Sequence, residues 1–122
     1  MTGETRLETD ATKLSKYFSS SILGAPHGYS MFLCGLDFAY GPSAEVVLTG
    51  KGVVLDGIIS QLDSDYLPNT LIHVWSSELA EAIQYLEQMK QTESPMIYVC
   101  RNFACSLPTS KMDEALSLIK KG

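Results

Sequence analysis

The chain has 122 residues, 45% of them hydrophobic and 19% charged, and 9 Lys and Arg against 14 Asp and Glu leave a net charge of −5. That size and balance predict one globular domain with a buried core and exclude a general nucleic-acid binder, which needs clustered cations to meet phosphate. No stretch is apolar enough to span a bilayer, no basic-then-apolar start marks a signal peptide, and 3 cysteines do not make a disulfide scaffold, so a cytoplasmic location with no membrane partner is expected.

In chain order, the first 40 residues read as two helices. Leu7, Ala11, Leu14, Phe18 and Ile22 recur at spacings of three and four, with Thr9 or Asp10 as N-cap, and Gly24-Ala25-Pro26 stops the run. A second helix is expected from about Gly28 to Tyr40. Tyr29, Phe32, Leu33 and Leu36 form one face of it, Met31, Cys34 and Phe38 form others, and Asp37 is its single charge. A helix with no polar face is normally buried all round, and a chain this short has little to bury it with. The pattern predicts missing partner helices, or a homo-oligomer formed through the N-terminal helices, because large exposed apolar patches mark interfaces.

Gly41-Pro42-Ser43 breaks the pattern, and an α/β unit over 42–122 is expected to follow the helical pair of 1–41. Glu45 to Thr49 is a β-branched run read as a first strand, and Gly50-Lys51-Gly52 turns the chain into a helix with Leu55, Ile58, Ile59 and Leu62 on one stripe. Thr70 to Trp75 is a second strand. Ser76 or Ser77 caps a helix that carries Glu78 and Glu81 in its first turn and buries Leu79, Ile83, Leu86 and Met89. Met96 to Cys100 is a third strand. Ser110 to Asp113 resembles a capping box ahead of a last helix with Met112, Leu116 and Ile119, whose closing Lys120-Lys121 pair suits the negative end of a helix dipole. Strands separated by helices predict a three-stranded parallel sheet, and continuous apolar strands predict burial on both faces. Order 2-1-3 is favoured over 1-2-3. It would bring Gly50-Lys51-Gly52 and Arg101-Asn102 together at a topological switch point.

Three places carry candidate chemistry. Cys100 ends the third strand and Cys105 follows a short loop, which offers a disulfide or redox pair if the loop folds back, with Arg101 placed to stabilise a thiolate. The alternative, favoured here, is two free thiols, with Cys100 a core residue and Cys105 under the loop. A simple structural disulfide would not persist in a reducing cytosol, so a bond would imply redox switching. Metal is not expected, because zinc wants four ligands and neither His27 nor His73 is close in sequence. Gly50, Lys51 and Gly52 form a strand-to-helix turn that could present N–H groups to a small anion. It matches neither glycine-rich phosphate motif, and a plain tight turn is preferred. His73 reads as a satisfied buried histidine, Trp75 as packing, and Asp63 and Asp65 as solvated acids. No cofactor and no catalytic residue is expected.

The block Tyr98-Val99-Cys100-Arg101-Asn102-Phe103-Ala104-Cys105-Ser106-Leu107-Pro108-Thr109 resembles the extreme C-terminus of the thioredoxin domain-containing proteins related to spermatogenesis-associated protein 20. Leu36-Asp37-Phe38-Ala39 ahead of Glu45-Val46-Val47, and Met1-Thr2-Gly3-Glu4, are similar to further segments of that family. The resemblance implies a parent of several hundred residues, with a thioredoxin-like domain and a central α/α-barrel that this chain lacks, as its partners. The family's Cys-x-x-Cys residues have no counterpart here; only the Cys100/Cys105 pair and its loop carry over. The expected function is a non-catalytic structural or interaction module of such a protein. The alternatives are a thiol–disulfide redox site at Cys100 and Cys105, and an anion site at Gly50-Lys51-Gly52.

Overall fold

The computed structural model describes residues 4–89, 91–102 and 104–121. The first three residues of the Met1-Thr2-Gly3-Glu4 segment, and Phe103 of the cysteine block, lie outside them. The chain divides at Gly41 and Pro42 into two compact units.

The N-terminal unit holds α1 (Thr5–Gly24), a 3₁₀ turn over Pro26–Tyr29 and α2 (Ser30–Tyr40). Glu4, rather than Thr9 or Asp10, stands at the N-cap of α1. Proline at the start of the next turn ends the helix, because Pro disfavours helical geometry in the residue before it. Phe18 meets Phe32 and Tyr29 at ring-centroid distances of 6.3 and 6.4 Å, and Ile22 is the one buried residue of α1. None of the residues of α2 is buried. Met31 is 85% exposed and Tyr40 77%.

The second unit is a three-layer α/β domain. Its elements are β1 (Ala44–Thr49), α3 (Val53–Ser64), β2 (Thr70–Val74), α4 (Ser77–Ala82), β3 (Met96–Arg101), β4 (Ala104–Cys105) and α5 (Met112–Lys120). The sheet has four strands in the order β2-β1-β3-β4. β1 pairs parallel with β2 and antiparallel with β3, so the three-stranded all-parallel sheet is corrected to a mixed one. The cause lies between β2 and β3. The twelve residues of α3 rise about 18 Å, enough to return along the roughly 20 Å length of β1, and β2 therefore restarts parallel. The helix expected to carry Leu79 through Met89 instead stops at Ala82, where Ile83 turns extended, and a 3₁₀ segment over Gln84–Gln88 follows. Six helical residues rise only about 9 Å. The chain stays at the end of the sheet where β1 and β2 finish, and β3 starts there, Met96 opposite Thr49.

β1 is central and buried on both faces. Val46 and Leu48 pack with Ile97, Val99, Leu55, Leu62, Ala115 and Ile119 on one side. Val47 and Cys100 pack with Ala80, Ile83, Leu86 and Met89 on the other. Of the stripe read across the broken helix, Ile83, Leu86 and Met89 are thus buried and Leu79 partly so, although the helix is not continuous. Trp75 Nε1 donates to the Leu86 carbonyl at 3.2 Å, which pins the 3₁₀ segment beside the end of β2. The cap of α5 also differs: Thr109 Oγ1 accepts from Lys111 N and donates to the Glu114 carboxylate, in place of a Ser110–Asp113 box.

Candidate functional site

The chemistry-bearing residues separate to opposite ends of the sheet. Because β3 runs backwards relative to β1, Cys100 faces Glu45 near the start of β1, whereas Gly50 follows its end. The expected crevice joining Gly50-Lys51-Gly52 to Arg101-Asn102 therefore does not form.

At the β1 end, Gly50 and Gly52 have φ of 102° and 82°, conformations open to glycine and strained for other residues. A Cβ on Gly50 would lie 2.6 Å from Pro95 Cα. The Gln91 amide donates to the Gly50 carbonyl, and the Thr49 and Thr92 hydroxyls bond at 2.9 Å. Gly50 thus lets the strand leave the sheet in contact with the chain entering β3. Gly52 is the N-cap of α3, and Lys51 between them is exposed.

At the other end, Arg101 and Ala104 pair across two linking residues, Asn102 and Phe103. Asn102 sits at φ 49°, a left-handed conformation that Asn tolerates in tight hairpins. Cys100 and Cys105 face each other directly across this hairpin, with Cα atoms 3.9 Å apart, and their sulfurs are bonded. The expectation of two free thiols is corrected: a two-residue turn folds the loop straight back, and antiparallel pairing brings opposed Cα atoms within disulfide reach. Cys100 is 2% exposed. Cys105 lies on the solvent side of the hairpin and is exposed, not packed under a loop. Cys34, in α2, is a free exposed thiol.

Arg101 does not act on sulfur. Its guanidinium donates to the carbonyls of Pro42 and Ser43, at 3.1 and 2.9 Å, and of Leu118 and Ile119, at 3.3 and 2.6 Å. One planar fork thereby ties the approach to β1 to the last turn of α5, where unsatisfied carbonyls favour a cation. Lys120 of the same turn pairs with Asp65 at 2.8 Å, so Asp65 is not simply a solvated acid. A groove of about 180 Å³ between Pro42, Tyr66, Asn69 and Ile119 lies beside this clasp. It is smaller than the ~300 Å³ at which metabolite pockets begin.

Sequence reasoning missed one polar cluster. Glu45 on β1, His73 on β2 and Cys100 on β3 share a sheet face through their register. The Tyr85 hydroxyl donates a short hydrogen bond to the Glu45 carboxylate. Burial, then the bond to Glu45 and that carboxylate's charge, push the Tyr85 hydroxyl well up from its ordinary value. His73 is half-buried, and its Nε2 has no hydrogen-bond partner among the described residues; the satisfied core histidine is corrected. Glu45 inside an otherwise apolar strand was the available signal. Its partner lies forty residues away, in a segment whose helix breaks for tertiary reasons. Among the described residues no group of three or more His, Cys, Asp or Glu could hold a metal, and no helix is long and apolar enough to cross a membrane.

These observations define a mixed α/β module whose hairpin is crosslinked and whose one buried-face arginine is structural. Comparison with family models, with curated proteins and with solved structures finds no match.

Proposed function

We propose that this chain is a non-catalytic structural or interaction module, the C-terminal part of a larger protein related to the thioredoxin domain-containing family named above. One observation carries the reading: Arg101, Cys100 and Cys105, the groups of the proposed redox site, are spent on holding the module together. Arg101 gives its donors to four backbone carbonyls, and Cys100 and Cys105 are joined across a hairpin. An exchange-active dithiol needs a low-pKa cysteine, typically at a helix N-terminus in a Cys-x-x-Cys motif. The corresponding turn of the β1-α3-β2 unit reads Thr49-Gly50-Lys51-Gly52 and carries no sulfur.

The remainder of the parent chain, or a second copy, is the proposed cover for the apolar side chains of α1 and α2. The proposed location is cytoplasmic, where the Cys100–Cys105 bond would be open to exchange with soluble thiols rather than permanent. The test is reduction of an unrelated disulfide protein by a small-thiol reductant, with and without this chain. A rate unchanged from background is expected. Acceleration abolished by Cys105→Ser would replace the scaffold reading with the redox one. The anion reading at Gly50-Lys51-Gly52 rests on the two glycines and one helix N-terminus alone, and no observation favours it.

A further inference from the structure

The disulfide is asymmetric. Cys100 is sealed between β1 and the 3₁₀ segment, packed with Val47, Ala80, Ile83, Leu86 and Met89, while Cys105 is open to solvent on the two-residue edge strand. A thiolate attacks whichever sulfur it can reach, and access is one of the factors that set exchange rates. We propose that Cys105 is a thiol-modification site, at which a small soluble thiol such as glutathione opens the crosslink from one side and remains attached.

The step balances without a further reactant. The incoming thiolate forms a bond to Cys105 Sγ, the Cys100–Cys105 bond breaks, and its electron pair departs on Cys100 Sγ, which takes a proton from water. Cys105 stays oxidised as a mixed disulfide, and Cys100 alone is reduced. Apolar burial disfavours the Cys100 thiolate both as the group that leaves on opening and as the one that returns on resealing. The exchange is therefore slowed in both directions, and an excess of the soluble thiol holds the adduct. A cytoplasmic thiol pool would supply the attacking group.

The exchange also changes the fold locally. The segment from Ala104 to Thr109 lies along the outer edge of β3. It is held at one end by the disulfide and the Ser106 N–Val99 O bond, and at the other by the paired bonds of Thr109 with Ile97. Opening the disulfide removes the covalent tie at the Cys105 end, leaving that end on hydrogen bonds alone, and leaves the Thr109 end as it was. The exchange is stoichiometric, so it stands apart from the scaffold reading, which concerns catalysis on other proteins.

The chain carrying Cys34→Ser, which removes the third thiol, is incubated folded with reduced glutathione, quenched with acid and digested with trypsin. Cleavage after Arg101 places Cys100 and Cys105 on separate peptides. The expected result is glutathione on the Cys105 peptide and a free thiol on the Cys100 peptide, in a ratio of about ten to one or more over the reverse. Adduct on Cys100, or equal division, overturns the proposal. So does a disulfide that stays closed until denaturant unfolds the chain. As a second measurement, Cys100→Ala in the same Cys34→Ser background removes the resealing thiol; it is loaded by exchange of its free Cys105 thiol with oxidised glutathione, which releases one reduced glutathione, and its Cys105 adduct should outlast that of the parent after glutathione is withdrawn. Equal lifetimes would show that Cys100 is not the group released.

Discussion

Removing the crosslink one sulfur at a time separates its two contributions. Cys105→Ser takes away the bond but alters only an exposed position. The ring it opens is small, with a sequence separation of 5, and the chain-entropy relation for about six residues gives a loss of ~2 kcal/mol at 25 °C. Cys100→Ser removes the same bond and also places a hydroxyl among Val47, Leu86 and Met89. A buried, unpaired hydroxyl costs about 1–3 kcal/mol more, for a total of roughly 3–5 kcal/mol. Trp75 is the single tryptophan and is hydrogen-bonded inside this unit, so its fluorescence reports unfolding of the α/β domain directly. Urea titrations should place Cys105→Ser about 2 kcal/mol below the parent, a shift of ~10 °C in Tm, with Cys100→Ser distinctly lower. Equal losses for the two variants would refute the asymmetric burial. A Cys105→Ser variant as stable as the parent would refute the crosslink itself.

Gly50→Ala should destabilise the domain by ~2 kcal/mol or more, since it combines a positive φ of 102° with a clash at Pro95. Gly52→Ala meets open space, but φ 82° with ψ −170° is a region almost confined to glycine, and it should cost about 1–3 kcal/mol; the same urea titrations check both. Tyr85→Phe probes the hydrogen bond to Glu45. A raised folded-state pKa stabilises the fold fully below the unfolded value of about 10, and that contribution is lost as pH rises through the folded value. The parent should therefore lose stability faster than Tyr85→Phe above about pH 10, and parallel pH profiles would contradict the buried pair. In the N-terminal unit, sedimentation velocity should show concentration-dependent association that Met31→Lys weakens, because Leu23 and Met31 are 83% and 85% exposed. A clean monomer at high concentration would remove the basis for a self-association surface.

Much of the architecture is local and could be read from residue order. Gly41-Pro42 interrupts helical periodicity because neither residue favours a continuing helix, and the chain divides there. The apolar run Val46-Val47-Leu48 demands cover on both faces, and β1 has it. Leu55 and Leu62 recur at helical spacing because one side of α3 must lie on the sheet. The direction of β3 was not legible. It depends on whether the segment after β2 travels the length of the sheet, and that segment breaks at Ile83 because Trp75 and Tyr85 find partners at Leu86 and Glu45. Reversing one strand then moved Arg101 to the end of the sheet away from Gly50, onto the carbonyls of Ser43 and Ile119. It also let a two-residue hairpin set Cys100 against Cys105. Periodicity records which residues must be buried. Pairing partners, strand direction and the bonding of two thiols are decided by contacts between segments far apart in the chain, and only the tertiary structure contains them.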